Sequence, residues 1–202
     1  NAGAGTSGQV LTSNGAGALP TFQAAGGGSW QAISSVSASS SASISFTGLS
    51  NTYIAYAVLL TNIIPASSST SMLLRTSANN GSSYDSGAGN YSWYTVGING
   101  GDYYNNSSLS DTSITLFFSY GASGYMSTSV GANGWIYIFN PSAASYCFIR
   151  GVLSYVYTGT PYVNPIDGSG YRTAAAAVNA VQFFMGTGNI ASGTFTLYGL
   201  VA

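Results

Sequence analysis

The chain has 202 residues, 46% of them hydrophobic, which is enough to bury the core of one principal domain. It carries three basic side chains, four acidic side chains and no His, for a formal net charge of -1 at pH 7. We expect no nucleic-acid partner, because neutralising a run of phosphates needs several clustered Lys or Arg. The absence of His excludes Ser-His-Asp and Cys-His catalysis, and a single Cys without His argues against zinc, so we expect no enzyme, cofactor or metal.

The opening section, residues 1–28, is rich in Gly and Ala and contains two short extended segments, 9–12 and 21–23. A lone pair of such short strands is not stable in water, so we expect this section to pack against copies of itself. Three consecutive Gly at 26–28 predict a flexible joint. The sequence therefore predicts a shaft-like oligomerisation segment over 1–28 and a tip domain over 29–202. Because no initiator Met is present, we expect the chain to be part of a longer polypeptide.

From Trp30 onward the apolar residues alternate with polar ones, and Gly, Ser, Asn and Pro separate segments of strand length. Many short strands without a convincing amphipathic helix predict an all-β fold, an antiparallel β-sandwich of jelly-roll type. The longest apolar run, 53–60, is far below the roughly 18 residues that a membrane helix needs, so we expect no membrane insertion. The predicted strands are 43–47, 53–63, 71–76, 83–85, 91–98, 114–120, 135–139, 146–157, 178–185 and 194–200.

One hairpin can be predicted in more detail. Strands 71–76 and 83–85 flank Asn79-Asn80-Gly81, which suits a short loop with Gly81 in the left-handed conformation. This register places Arg75 opposite Asp85. We interpret the two as a structural cross-strand ion pair, and the alternative is that Asp85 belongs to a ligand site.

Two acidic residues could support carboxylate chemistry. Asp102 and Asp111 bracket the stretch 103–110, which we predict to be a loop. They could form a glycosidase pair, within one chain or across a seam between subunits, or an oxygen-lined calcium site. The alternative, which we favour, is that they cap turns at strand ends. Cys147 lies in an apolar run, so we expect a buried, reduced thiol.

The favoured binding site combines aromatic and amide side chains in loops. Aromatic faces stack on the C–H surfaces of sugars while hydroxyls and amides bond sugar hydroxyls, which requires no net charge. The alternative is that several of these tyrosines pack in the core or between subunits, as we expect for Trp30, Trp93 and Trp135. The candidate receptor-binding residues are Tyr103, Tyr104, Asn105, Asn106, Tyr120 and Tyr125.

Several segments resemble phage proteins. The opening GTSGQVLTSNG at 5–15, closed by PTFQ at 20–23, resembles the repeated segment that precedes the tip domain in phage tail fibre and tail collar proteins. In the body, SISFTGL at 43–49, LLRTS at 73–77 with YDSG at 84–87, and ASGTFTLYG at 191–199 resemble the C-terminal domains of phage structural proteins. The stretch 100–134 carries no such resemblance.

The resemblance implies a homotrimeric fibre with an intertwined shaft and a β-rich head that meets the host surface. We expect an extracellular virion protein whose partners are copies of itself, other tail or virion proteins, and a host glycan or outer-membrane protein. Two alternatives remain open. One is an architectural virion decoration or extracellular filament subunit, and the other is a carboxylate-dependent polysaccharide depolymerase.

Overall fold

The computed structural model describes residues 3–24, 29–68, 70–99, 101–117, 126, 128–156 and 163–201. Over these residues the regular structure consists of antiparallel β-strands without a helix, which confirms the all-β expectation. The strands are β1 (Gln9–Thr12), β2 (Thr21–Ala24), β3 (Trp30–Ser41), β4 (Ser43–Thr47), β5 (Ala55–Pro65), β6 (Met72–Ser77), β7 (Tyr91–Asn99), β8 (Asp102–Asp111), β9 (Ile114–Phe117), β10 (Ala132–Phe139), β11 (Phe148–Val156), β12 (Val163–Arg172), β13 (Ala180–Met185) and β14 (Ile190–Leu200).

The described strands form three sheets. The largest has the order β3-β14-β5-β10-β11-β12-β7-β8, and a four-stranded sheet has the order β4-β13-β6-β9. Strands β1 and β2 pair only with each other. In the body, the first strand pairs with the last, β3 with β14, and the second pairs with the second from last, β4 with β13. The chain therefore passes repeatedly between the two larger sheets.

The core lies between the two larger sheets, in a sandwich-like arrangement. Phe183 of β13 and Phe195 of β14 bring their ring centroids to 5.4 Å across the layers. Farther along, Phe117 of β9 and Tyr155 of β11 stack at 5.7 Å. Burying each such ring contributes about 1.5–3 kcal/mol to the stability of the fold. Alternation along the strands of the large sheet sends one set of side chains into this core and the other set to an outer face.

The predicted hairpin after β6 is wrong in its pairing. Gly81 is left-handed with φ 84°, as the turn chemistry predicts. However, 83–85 is not a strand, because β6 is already flanked by β13 and β9. The Arg75 Nε donates to the carbonyl oxygen of Thr112 at 3.1 Å, and its guanidinium lies 4.7 Å from the ring centroid of Phe184. Asp85 instead accepts from Arg172 Nε at 2.7 Å.

The β1–β2 hairpin holds little apolar surface of its own. Asn14 orders its turn, donating through Nδ2 to the carbonyl oxygen of Leu19 at 2.7 Å and accepting at Oδ1 from Gln23 Nε2 at 3.2 Å. The four large apolar side chains of the hairpin are nevertheless exposed: Val10, Leu11, Leu19 and Phe22.

No helix long and apolar enough to cross a membrane occurs in the part of the chain that the structure describes.

Candidate functional site

The predicted loop cluster lies on a strand. Residues Tyr103 to Asn106 belong to β8, the edge strand of the large sheet, where they pair with β7. The side chains of a strand alternate between faces, so consecutive residues cannot form one surface. Tyr103 is 79% exposed, whereas Tyr104 is 3% exposed. The predictions for Tyr120 and Tyr125 lie outside the described residues.

Tyr104 belongs to the core and is not a binding residue. It lies opposite Gly97, where a Cβ atom would come within 2.5 Å of its ring, so glycine is needed for this close approach. Burial raises the pKa of the Tyr104 hydroxyl, and a hydrogen bond with Tyr155 lowers it in part. The predicted site is therefore corrected at this residue.

The two asparagines are exposed on opposite sides of β8. Asn106 Oδ1 accepts from the backbone N–H of Ser107 at 2.9 Å, so this amide is partly engaged within its own strand. Asn105 shares the outer face with Tyr103, two residues before it. Of the predicted cluster, the described residues therefore bring together only Tyr103 and Asn105.

The two aspartates of the alternative site stand at opposite ends of β8. A strand of this length separates them by roughly 30 Å, so within one chain they form neither a glycosidase pair nor a calcium site. Asp111 accepts from Trp93 Nε1 at 2.9 Å and from the backbone N–H of Thr112 at 2.6 Å, which fits the capping interpretation. Over the described ranges, no three His, Cys, Asp or Glu side chains are grouped to hold a metal ion.

The outer face of the large sheet carries an aromatic row on β10. Trp135, Tyr137 and Phe139 alternate along the strand, so their side chains emerge on the same side. The Trp135 and Tyr137 rings lie 6.4 Å apart at 18°, and the Tyr137 and Phe139 rings lie 6.3 Å apart at 21°. This row of nearly parallel rings is exposed or partly exposed along its whole length.

Neighbouring strands turn one end of the row into a cleft. Tyr198 of β14 brings its ring to 5.6 Å from Trp135, and Trp30 of β3 brings its ring to 6.4 Å from Tyr137. The floor is made by the smaller side chains Ala57 and Leu59 of β5, and the cleft holds about 240 Å³. Large rings around a small-residue floor give a concave, aromatic-walled site on an otherwise open sheet. We call this site the aromatic cleft.

Two further hollows extend the apolar surface across the same sheet. One of about 290 Å³ includes Tyr94 and Tyr171, and one of about 220 Å³ includes Tyr103 and Val152. Exposed apolar surface that is concentrated on one face often marks the site of a binding partner.

The Arg150–Asp167 ion pair lies on the same outer face. Arg150 is the cross-strand neighbour of Tyr137, and its Nε donates to Asp167 Oδ1 at 3.2 Å while its Nη2 bonds the other carboxylate oxygen. Both side chains are solvent-accessible, at 54% and 43%. The hydrogen bond with Asp167 raises the pKa of the Arg150 guanidinium, which remains charged.

Sequence reasoning did not identify the aromatic cleft. The signal is present as Trp135-x-Tyr137-x-Phe139, but period two gives no indication of which face of a strand is covered. Trp93 is buried as expected, whereas Trp30 is exposed on the outer face. The seam that we predict as the alternative role of Trp30 and Trp135 stays a prediction.

Comparisons with protein-family models, with curated proteins and with solved structures find no match to this chain.

Proposed function

We propose that this chain is the distal, receptor-binding part of a phage tail fibre, a structural virion protein that adsorbs to a host cell-surface glycan or outer-membrane protein without covalent chemistry. The observation that carries the proposal is the exposed aromatic outer face of a rigid eight-stranded sheet. A preorganised aromatic surface costs little conformational entropy when a partner binds. The phage assignment rests on the sequence resemblance.

The opening hairpin supports assembly with copies of itself. Its apolar side chains are exposed in the single chain, and two short strands alone do not hold together in water. Packing several hairpins side by side would bury Val10, Leu11 and Phe22, which suits a fibrous shaft. That the assembly is a homotrimer is a proposal whose number rests on the resemblance alone.

We also propose that the tip domain is a jelly roll. In that fold the first strand pairs with the last and the second with the second from last, and the two sheets are joined by repeated crossings. The pairs β3–β14 and β4–β13, with β5 and β10 beyond β14 and with β6 and β9 beyond β13, support this assignment. Strands β7–β8 and β11–β12 would then be insertions that widen one sheet.

Adsorption is tested by competition. The purified chain should bind the host cells of the phage that carries it and should block phage attachment in proportion to its concentration. The exposed apolar hairpin also suits an architectural subunit, which would assemble but would neither bind cells nor compete with attachment. Measuring cell binding and the mass of the oligomer on the same preparation separates the two functions. A chain that forms oligomers but does not bind cells would exclude the proposed receptor-binding function.

A further inference from the structure

We propose that the aromatic cleft binds a sugar ring of an uncharged polysaccharide, with the Arg150–Asp167 pair bonding hydroxyls of the same chain. This inference rests on the proposed adsorption function and names its ligand class and site. The cleft is formed by Trp30, Trp135, Tyr137 and Tyr198 around a floor of Ala57 and Leu59.

The shape of the cleft suits a sugar ring. At about 240 Å³ it is smaller than the roughly 300–1,000 Å³ of sites for drug-sized ligands, so it admits a compact ring rather than a large molecule. Its walls are aromatic, and aromatic faces attract the C–H surfaces of a pyranose through dispersion and burial of apolar area. The row continues past Tyr137 to Phe139, so a polysaccharide finds a further surface beyond the first ring.

The polar groups beside the cleft match sugar hydroxyls. Arg150 of β11 neighbours Tyr137 on the side of β10 opposite to the cleft floor, so its guanidinium is reached by a sugar unit that extends from the cleft over Tyr137. A guanidinium offers several N–H donors and a carboxylate several acceptor sites, so a paired Arg and Asp can each bond one of two adjacent hydroxyls. Both groups retain solvent exposure and are therefore accessible to a ligand without breaking their mutual contact.

The charge balance favours an uncharged ligand. Arg150 is already neutralised by Asp167, and the other described arginines, Arg75 and Arg172, are engaged elsewhere in the fold. An acidic polysaccharide would find no unpaired cation in or beside the cleft. A second copy of the chain would have to desolvate the exposed ion pair when it covered this face, at a cost that a hydrated hydroxyl ligand avoids.

The test uses the full chain and an array of purified bacterial surface polysaccharides, neutral and acidic. We expect binding to at least one neutral polysaccharide, with Trp135→Ala and Tyr137→Ala each weakening it about tenfold or more, which is about 1.4 kcal/mol. Trp135→Phe should retain most of the affinity because it keeps an aromatic ring. The matched control is Tyr84→Ala, a partly exposed tyrosine whose hydroxyl lies beside Gly81 in the connection between β6 and β7, away from the outer face, which should leave binding nearly unchanged.

Cell adsorption by the same variants separates this inference from the proposed function. If the wild-type chain adsorbs to cells and both alanine variants adsorb and bind glycans equally well, the cleft assignment is overturned. The adsorption function is left intact by that result. Cleft variants that turn an oligomer into a monomer identify a second copy as the occupant and also overturn it. Binding of the wild-type chain only to acidic polysaccharides, or to no polysaccharide, also overturns the cleft assignment. Circular dichroism on each variant confirms that lost binding is not lost folding.

Discussion

At the scale of single residues, strand alternation gives two adjacent tyrosines different roles. Tyr104 packs over Gly97 inside the sandwich, while Tyr103 lies on the outer face. The same dipeptide therefore contributes one ring to stability and one ring to the exposed surface.

Alanine substitution should separate these roles. Tyr104→Ala should lower the free energy of unfolding by about 3–5 kcal/mol, because it empties a buried aromatic site. Tyr103→Ala should change it by less than about 0.5 kcal/mol. Urea unfolding followed by fluorescence measures both, and equal effects of the two substitutions would contradict the assigned burial.

The buried thiol should make stability depend on alkaline pH. Burial raises the pKa of Cys147 from 9.0 to about 12, with Arg172 lowering it in part. Between those values the unfolded chain loses the thiol proton and the folded chain keeps it, so deprotonation favours unfolding. The contribution of this thiol to the free energy of unfolding is fully present below about pH 9. Above that pH the contribution falls by up to about 1.4 kcal/mol per pH unit.

The matched variant for this pH effect is Cys147→Ala. It should lose some stability at pH 7 through a small cavity, yet its free energy of unfolding should fall less steeply than that of the wild type between pH 9 and 11. Chemical denaturation at a series of pH values gives both slopes. Parallel slopes would show that the thiol is not protected from ionisation.

At the scale of elements, a polar network fixes the connection between β6 and β7. Tyr91 is buried at the start of β7, and its hydroxyl accepts from the backbone N–H of Thr76 at 2.8 Å and donates to the carbonyl oxygen of Asp85 at 3.1 Å. Arg172 of β12 then binds the Asp85 carboxylate. The connection is thus tied to three strands by groups that the fold largely buries.

Breaking this ion pair should cost more than breaking the exposed one. Asp85→Asn leaves Arg172, whose side chain is 11% exposed, without its counter-charge. We expect a loss of about 1–3 kcal/mol, below the value for a fully buried pair because Asp85 keeps some solvent contact. Asp167→Asn, at the solvent-exposed pair, should change stability by less than about 0.5 kcal/mol. Thermal and urea unfolding of both variants compare them directly, and a larger loss at Asp167 would reverse the assignment.

The strands that the sequence predicts are those with strong alternation. Strand β4 matches its prediction residue for residue, and the bounds of β5, β6, β7, β13 and β14 differ from the predicted ones by one to four residues. Three strands are missed. The Ser-rich β3 and the Asn- and Ser-rich β8 have weak strand propensity and lie at the edges of the large sheet, where pairing with β14 and β7 supplies their order.

Strand β12 is missed for a different reason. Pro165 argues against a central strand, since proline lacks the N–H of the ladder. Here it pairs with Ser154 of β11, while pairing with β7 begins one residue later, at Ile166. The glycines that follow look like turn residues, yet Gly168 and Gly170 are needed because a Cβ atom at either position would collide with side chains of the core.

At the scale of the whole molecule, the described residues expose large apolar side chains on the opening hairpin and on the outer face of the large sheet. The hairpin is the stronger candidate for self-association, since its two strands pair only with each other among the described sheets and its large apolar side chains are exposed. Polar substitutions at the exposed apolar positions of the hairpin should therefore weaken self-association.

Replacing hairpin side chains should weaken assembly. Val10→Ser with Leu11→Ser should raise the dissociation constant of the oligomer about tenfold or more, because burying each such side chain is worth about 1.5–3 kcal/mol. Val163→Ser, the same type of change on the exposed outer face, serves as the control and should leave it nearly unchanged. Light scattering over a concentration series measures both, and a monomeric wild-type chain would contradict the role of the hairpin.

The sequence by itself determined the strand-forming class of this protein, because period-two alternation and turn residues act over a few neighbours. It also determined the scarcity of charged side chains and the absence of His. Tertiary structure alone decided which face of each strand is covered and that Arg172 rather than Arg75 meets Asp85. It also decided that Trp30 and Tyr198, distant in the sequence, meet Trp135 and Tyr137 at one cleft. These outcomes depend on which strands become neighbours and on what packs above them, and local pattern does not encode either.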